Sequence, residues 1–171
     1  MPVRDNIVQW AEWWAFPGEW KPSAEEMVDI FKGANAEQAP SLADATWSLT
    51  NLSTGVRVGG QVKHWCGVLA AEILRRSGVD ARWTLQGGGI KGGGVRYRPG
   101  RTGIRPGDVA MIPKANHHFV VVGVNYSGNK LWTVEGNTAG QYIRERTRQF
   151  KYPGDPNAAS KTIYGYYQIT A

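Results

Sequence analysis

Cysteine is all but missing from this chain. Cys66 is the only one in 171 residues, so no disulfide within the chain staples the fold. With just three histidines beside it, a cysteine-rich zinc cluster is excluded too. Long apolar runs are also missing: nothing approaches the roughly 18 residues of a membrane-spanning helix. No dense basic run is present. Twenty Lys and Arg against fourteen Asp and Glu give a formal charge of +6, but they are dispersed, with Arg-rich spots only at 96–105 and 144–148, which argues against nucleic acid as a partner. The first residues, Met-Pro-Val-Arg-Asp-Asn, lack the basic n-region and continuous apolar core of a signal peptide. The expectation is a chain made in the cytoplasm and delivered by another system if it works elsewhere. Internal repeats are absent, and no linker divides the sequence.

What is present is bulky and turn-rich. Eight Trp, seven Tyr and four Phe supply core material, and 22 Gly imply many turns. The length suits one domain, 1–171, large enough to bury a real core. The modest positive charge favours an anionic partner, whether nucleic acid, a membrane surface or an anionic polymer such as a bacterial cell wall, and by itself does not choose between them.

Helices come first. Ile7, Val8, Trp10, Ala11 and Trp14 form an apolar stripe over 5–15, ended by Pro17-Gly18. The tryptophans at helical spacing are expected to pack. Ser23-Ala-Glu-Glu26 has the form of a capping box opening a helix that carries Met27, Ile30 and Phe31 and stops near Gly33. A short helix is expected within 36–47, and a loop over 50–60. Gln86 to Gly94 lacks both the Gly-Lys-Ser/Thr ending of a P-loop and the following helix of a dinucleotide fingerprint, so it reads as a mobile loop beside a groove. Strands fill the second half: 109–112, 118–125, 130–135, 142–150 and 163–169, with 153–160 a connecting loop. Helices followed by strands predict an α+β fold, helical over about 1–55, with its nucleophile helix packed on an antiparallel sheet.

The stretch with chemical character is His64-Trp-Cys-Gly-Val-Leu-Ala-Ala-Glu-Ile-Leu-Arg-Arg-Ser77. Apolar residues at 66, 69, 70, 73 and 74 mark one face of a half-buried helix, with Cys66 at its first turn. There the positive end of the helix dipole favours a thiolate. A thiol nucleophile needs an imidazole, and the imidazole needs a third group to orient it. The strand after His118 and the strand from Lys130 form a hairpin closed at 126–129. His118 lies eight residues before Tyr126, and Glu135 and Asn137 lie six and eight after Asn129, so the three approach at the open end. Of His117 and His118, His118 is favoured because it directly precedes the apolar strand. Gln61 and Trp65, close to the cysteine, are candidates for substrate or oxyanion contacts. The plainer reading is a core cysteine, a surface histidine and an Asn capping a turn.

Trp65-Cys66-Gly-Val-Leu-Ala, Arg105-Pro-Gly-Asp-Val-Ala, His118-Phe-Val-Val-Val-Gly-Val and Val134-Glu-Gly-Asn137 together resemble the CHAP family, the cysteine- and histidine-dependent amidohydrolases/peptidases of the papain-like group. The resemblance covers about 60–140. It implies a papain-like catalytic core over about 60–171, with Cys66 as nucleophile, His118 as general base, Glu135 as orienting acid and Asn137 as the polar residue that follows. It implies cleavage of amide bonds in peptidoglycan, as in a phage-type lysin or an antibacterial effector acting at the wall or periplasm after delivery. An immunity or delivery partner belongs to that picture, and no metal or other cofactor does. The rival expectation is a non-catalytic papain-like module that grips wall peptides or a protein partner.

Overall fold

The computed structural model describes residues 2–86, 88–113, 116–152, 154–156 and 158–171. The first helix, α1 (Val3–Ala15), buries Ile7, Ala11, Trp14 and Ala15. Trp14 is inside, whereas Trp13 stays 56% exposed. The second, α2 (Ala24–Gly33), opens on a complete capping box: Ser23 Oγ accepts the Glu26 N–H at 3.1 Å, and the Glu26 carboxylate accepts the Ser23 N–H at 2.7 Å. The helix expected within 36–47 lies later, as α3 (Leu42–Asn51). Ser41 sets that start by accepting the Asp44 N–H at 3.0 Å. The segment expected as a loop over 50–60 instead contributes β1 (Val56–Val58) to a hairpin with β2 (Gln61–Lys63).

The cysteine helix, α4 (Cys66–Arg76), is buried all round from Cys66 to Leu74 rather than on one stripe. The reason is that α4 packs on the strands His117–Asn125 and Lys130–Thr138 and is also flanked by α1, which rests on the same sheet, and by α2. Even Glu72 is enclosed, accepting the Trp14 indole N–H at 3.0 Å and pairing with Arg76. Only Arg75 and Arg76 emerge, at the end of the helix that favours cations.

The remaining elements are β3 (Arg82–Thr84), β4 (Gly89–Lys91), β5 (Val95–Pro99), β6 (Val109–Ile112), β7 (His117–Asn125), β8 (Lys130–Thr138), β9 (Tyr142–Gln149), α5 (Ala158–Lys161) and β10 (Gly165–Ile169). An antiparallel six-stranded sheet runs β5-β10-β6-β7-β8-β9. The fold is therefore α+β. The glycine-rich stretch expected as a mobile loop forms the β3–β4 hairpin and leads into the edge strand β5. Its glycines serve close approach. A Cβ at Gly92, whose φ is +147°, would stand 2.1 Å from the Asp80 carbonyl oxygen. Gly87 of that stretch, and Pro153 and Asn157 of the expected connecting loop, lie outside the described residues. No helix among the described residues is long and apolar enough to cross a membrane.

Two cores result. Val109, Val120, Val134 and Ile143 face the helices, while Phe119, Val121, Leu131 and Tyr166 face a smaller cluster closed by Ile104, Phe150 and Ile163. Asp108, from the Arg105-Pro-Gly-Asp segment, is buried and structural. It pairs with Arg4 at 2.8 Å and accepts the Ile169 N–H at 3.0 Å, tying α1 and β10 to the start of β6.

The depth at which α4 sits on β8 is set by Gly136. A Cβ there would stand 2.5 Å from the Trp65 ring and 2.8 Å from Leu69. Gly136→Ala is expected to cost about 1–3 kcal/mol through overpacking. That lowers Tm by about 2–4 °C per kcal/mol in a chain of this size. Thermal denaturation showing an unchanged midpoint would mean that the glycine does not seat the helix.

Candidate active site

Cys66 is the first residue of α4, is a free thiol and is only 4% exposed, yet it lines a cleft of about 700 Å³. His117 lines the same cleft. Its Nε2 lies 2.7 Å from Glu135 Oε2. A carboxylate oxygen accepts, so Nε2 carries the hydrogen and Nδ1 is the ring nitrogen left free of Glu135; Cys66 Sγ lies 3.9 Å from the Asn116 carbonyl oxygen, and both His117 and His118 act on the thiol. Glu135 is fully buried and saturated. Arg148 grips both of its oxygens, at 2.5 and 2.7 Å, and the Thr133 hydroxyl donates to Oε1 at 2.7 Å. The Arg148 guanidinium lies over the Phe119 ring at 4.7 Å.

The imidazole paired with Glu135 is thus His117, not the expected His118, and a β-bulge explains the change. The hairpin ladder begins at Asn125↔Lys130. Left unbroken, it would set Val120 opposite Glu135, giving His118 and Glu135 the same face. The register instead slips by one residue between Val121 and Gly123, and Val120 faces Val134. One slip exchanges the faces of everything beyond it. Glu135 accordingly shares its face with Phe119 and His117. His118 turns toward the helical side, 1% exposed, edge-on to Trp83 at 5.0 Å and beside Tyr167. Its Nδ1–H donates to the Asn116 carbonyl at 2.5 Å, and its Nε2 has no hydrogen-bond partner among the described residues.

The other expected site residues are placed as follows. Asn137 lines the same cleft but its side-chain hydrogen bonds do not go to His117. Its side chain joins Gly55 to His64, and its backbone is left-handed, φ +54°, within the second register slip between Glu135 and Thr138. Trp65 is fully buried and its indole N–H donates to Gln141 Oε1 at 2.8 Å, so it is a core residue with no surface to offer a substrate. Gln61 is exposed on β2, opposite Val58, and lines neither described cleft. No family model, curated protein or solved structure matches this chain.

The electrostatics follow from these contacts. Burial alone would push the Cys66 thiol up. Hydrogen bonds and charge from His117, with His118 close by acting in the same sense, outweigh it and bring the thiol down to about 5. Burial would lower His117, but Cys66 and Glu135 raise it to about 9. Burial would likewise raise Glu135, yet Arg148 and His117 hold it far below the usual carboxylate range. Between about pH 5 and pH 9 the pair is therefore thiolate and imidazolium.

Arg148 had a faint trace in the sequence. Arg144, Arg146 and Arg148 alternate along β9, so all three share one face and one of them can reach a carboxylate on the neighbouring strand. Removing its charge leaves Glu135 buried beside a half-filled clamp. Arg148→Gln is expected to lose about 3–5 kcal/mol in urea unfolding, the range for breaking one side of a buried pair. Alkylation of Cys66 by iodoacetamide is expected to show its inflection near pH 5. His117→Ala should move that inflection up toward the ordinary thiol value of 9.0. An inflection that stays near 5 without His117 would mean that another group supports the thiolate.

Proposed function

We propose that this chain is a cysteine amidase or endopeptidase of papain-like architecture that hydrolyses amide bonds in peptidoglycan. The observation that carries the reading is the Cys66–His117–Glu135 series at the wall of an open cleft, with the thiol at a helix start. It is reinforced by the resemblance of the surrounding segments to cysteine- and histidine-dependent amidohydrolases. It is also reinforced by the charge of the cleft, whose described lining includes Arg146 and Lys161 and no carboxylate. Wall stem peptides carry carboxylates, and a cationic lining attracts them.

In this reading the Cys66 thiolate attacks the amide carbonyl carbon. A C–S bond forms, and the π pair moves onto oxygen. The imidazolium of His117 gives its Nδ1 proton to the amine nitrogen as the C–N bond breaks, and the carbonyl re-forms as a thioester. A water then loses a proton to Nδ1 while its oxygen attacks the thioester. Collapse expels the thiolate and leaves a carboxylic acid. Glu135 holds Nε2–H throughout and favours the charged ring, and Arg148 holds Glu135.

Incubation with purified peptidoglycan sacculi, read as new amino termini, tests the reading. Cys66→Ala should release none. His117→Ala should lose about 10²–10⁴ in rate, the usual worth of a general acid–base. His118→Asn should lose less, and a loss as deep as that of His117→Ala would move the base to His118. Cleavage by Cys66→Ala at the wild-type rate would end the proposal. Wall binding without cleavage by the wild type would favour a gripping module.

A further inference from the structure

His64 stands two residues before Cys66 and belongs to none of the steps above. It is exposed, and it lines both the main cleft and a smaller one of about 190 Å³; Cys66 lines both as well. The hydrogen-bond roles around it are fixed in series. The Gly55 N–H donates to Asn137 Oδ1 at 2.6 Å. A backbone N–H only donates, so the carbonyl end of the Asn137 amide must point to Gly55. Its Nδ2 then faces His64 Nδ1, at 2.9 Å. An amide nitrogen only donates, so Nδ1 accepts and the proton of the neutral ring sits on Nε2. Asn137 is held for this task by its left-handed turn in the bulge of β8, a conformation that Asn tolerates well.

The start of α4 adds a second observation. Its N-cap is Trp65, whose side chain does not cap the helix, and among the described residues no side chain accepts from the first-turn N–H groups beside the sulfur. We infer that His64 Nε2–H, together with the Cys66 backbone N–H, forms the oxyanion hole of this site, with Asn137 as the positioning residue that fixes the His64 tautomer. The inference rests on the amidase reading and deepens it. When the thiolate attacks, the carbonyl π pair becomes an oxyanion held by these two donors. When the amine leaves, the pair returns to the carbonyl. His64 keeps its proton throughout, and His117 moves one. The two histidines thus divide the work, each with a tautomer set by its own partner.

The test uses the full chain, purified sacculi as substrate and iodoacetamide as a thiol probe, because alkylation passes through no oxyanion. His64→Ala should lose about 10²–10³ in kcat for release of amino termini, the cost of one such donor, with apparent KM and alkylation rate within about threefold of wild type. His64→Gln, whose amide can donate, should recover about tenfold of that loss. A residue that merely braced residues 52–55 against β8 would change the melting temperature and leave kcat alone. The assignment is overturned if His64→Ala keeps kcat within about threefold while Cys66→Ala is inert, an outcome that leaves the amidase reading standing. It is also overturned if alkylation falls in step with kcat. Should His64→Ala not fold by circular dichroism, His64→Gln decides by the same criteria, a loss of KM without kcat counting against it. Sacculi untouched by the wild type, or cleaved equally by Cys66→Ala, remove the amidase reading and this inference with it.

Discussion

A carboxylate with no access to water is the constraint around which this site is arranged. Glu135 is fully buried and ionised, and an ion taken from water into a protein interior costs several kcal/mol unless it is well paired. Each of its oxygens has two partners: Thr133 and Arg148 on one, His117 and Arg148 on the other. That saturation fixes the His117 ring in one orientation and one tautomer. A surface carboxylate would do neither, because water would compete for the ring N–H.

Two irregularities of β8 and its neighbours supply the geometry. The slip between Val121 and Gly123 turns His117 toward Glu135 and buries His118. The slip after Glu135 breaks the pairing with β9 and leaves Asn137 left-handed, facing Gly55 and His64. Cys66 is brought to the same place by packing. Trp65 sits over Gly136, and its indole N–H is held by Gln141, whose own amide donates to the Gly55 carbonyl at 2.5 Å. Segment 52–55, the start of α4 and the end of β8 are thereby locked together, so the residues flanking Cys66 on both sides have fixed positions.

Much of the fold was legible in the sequence for physical reasons. The stripe of α1, the capping box of α2, the apolar face of α4 and the β-branched run of β7 are local signals, and local signals survive folding. The order Cys66, His, Glu135 was legible as well, because hairpin closure brings the strand ends together whatever the fine register. What was not legible depends on register and on long-range contacts. The choice between His117 and His118 turns on a single bulged residue near Gly123, which no periodicity announces. The β3–β4 hairpin hid behind glycines that serve close approach to Asp80 rather than mobility. Asn137 and Trp65 were noticed as residue types, but their partners, His64 and Gln141, lie more than 70 residues away in one case and as far in the other.

The same constraint accounts for how an ion pair survives in so dry a place. Thiolate, imidazolium, carboxylate and guanidinium follow one another from Cys66 through His117 and Glu135 to Arg148, so every charge lies next to an opposite one and the series sums to zero. In water at contact distance one such pair is worth about 1 kcal/mol, and at the effective dielectric of a protein about 4 kcal/mol. Burial therefore strengthens the attraction at the same time as it penalises each charge. Without Arg148 the series would carry a net negative charge in the interior. The proton on His117 would then serve to neutralise Glu135 as much as to support the thiolate. Arg148 therefore leaves the imidazolium free for the sulfur, which is why a guanidinium bonded to Glu135 bears on the charge state of Cys66.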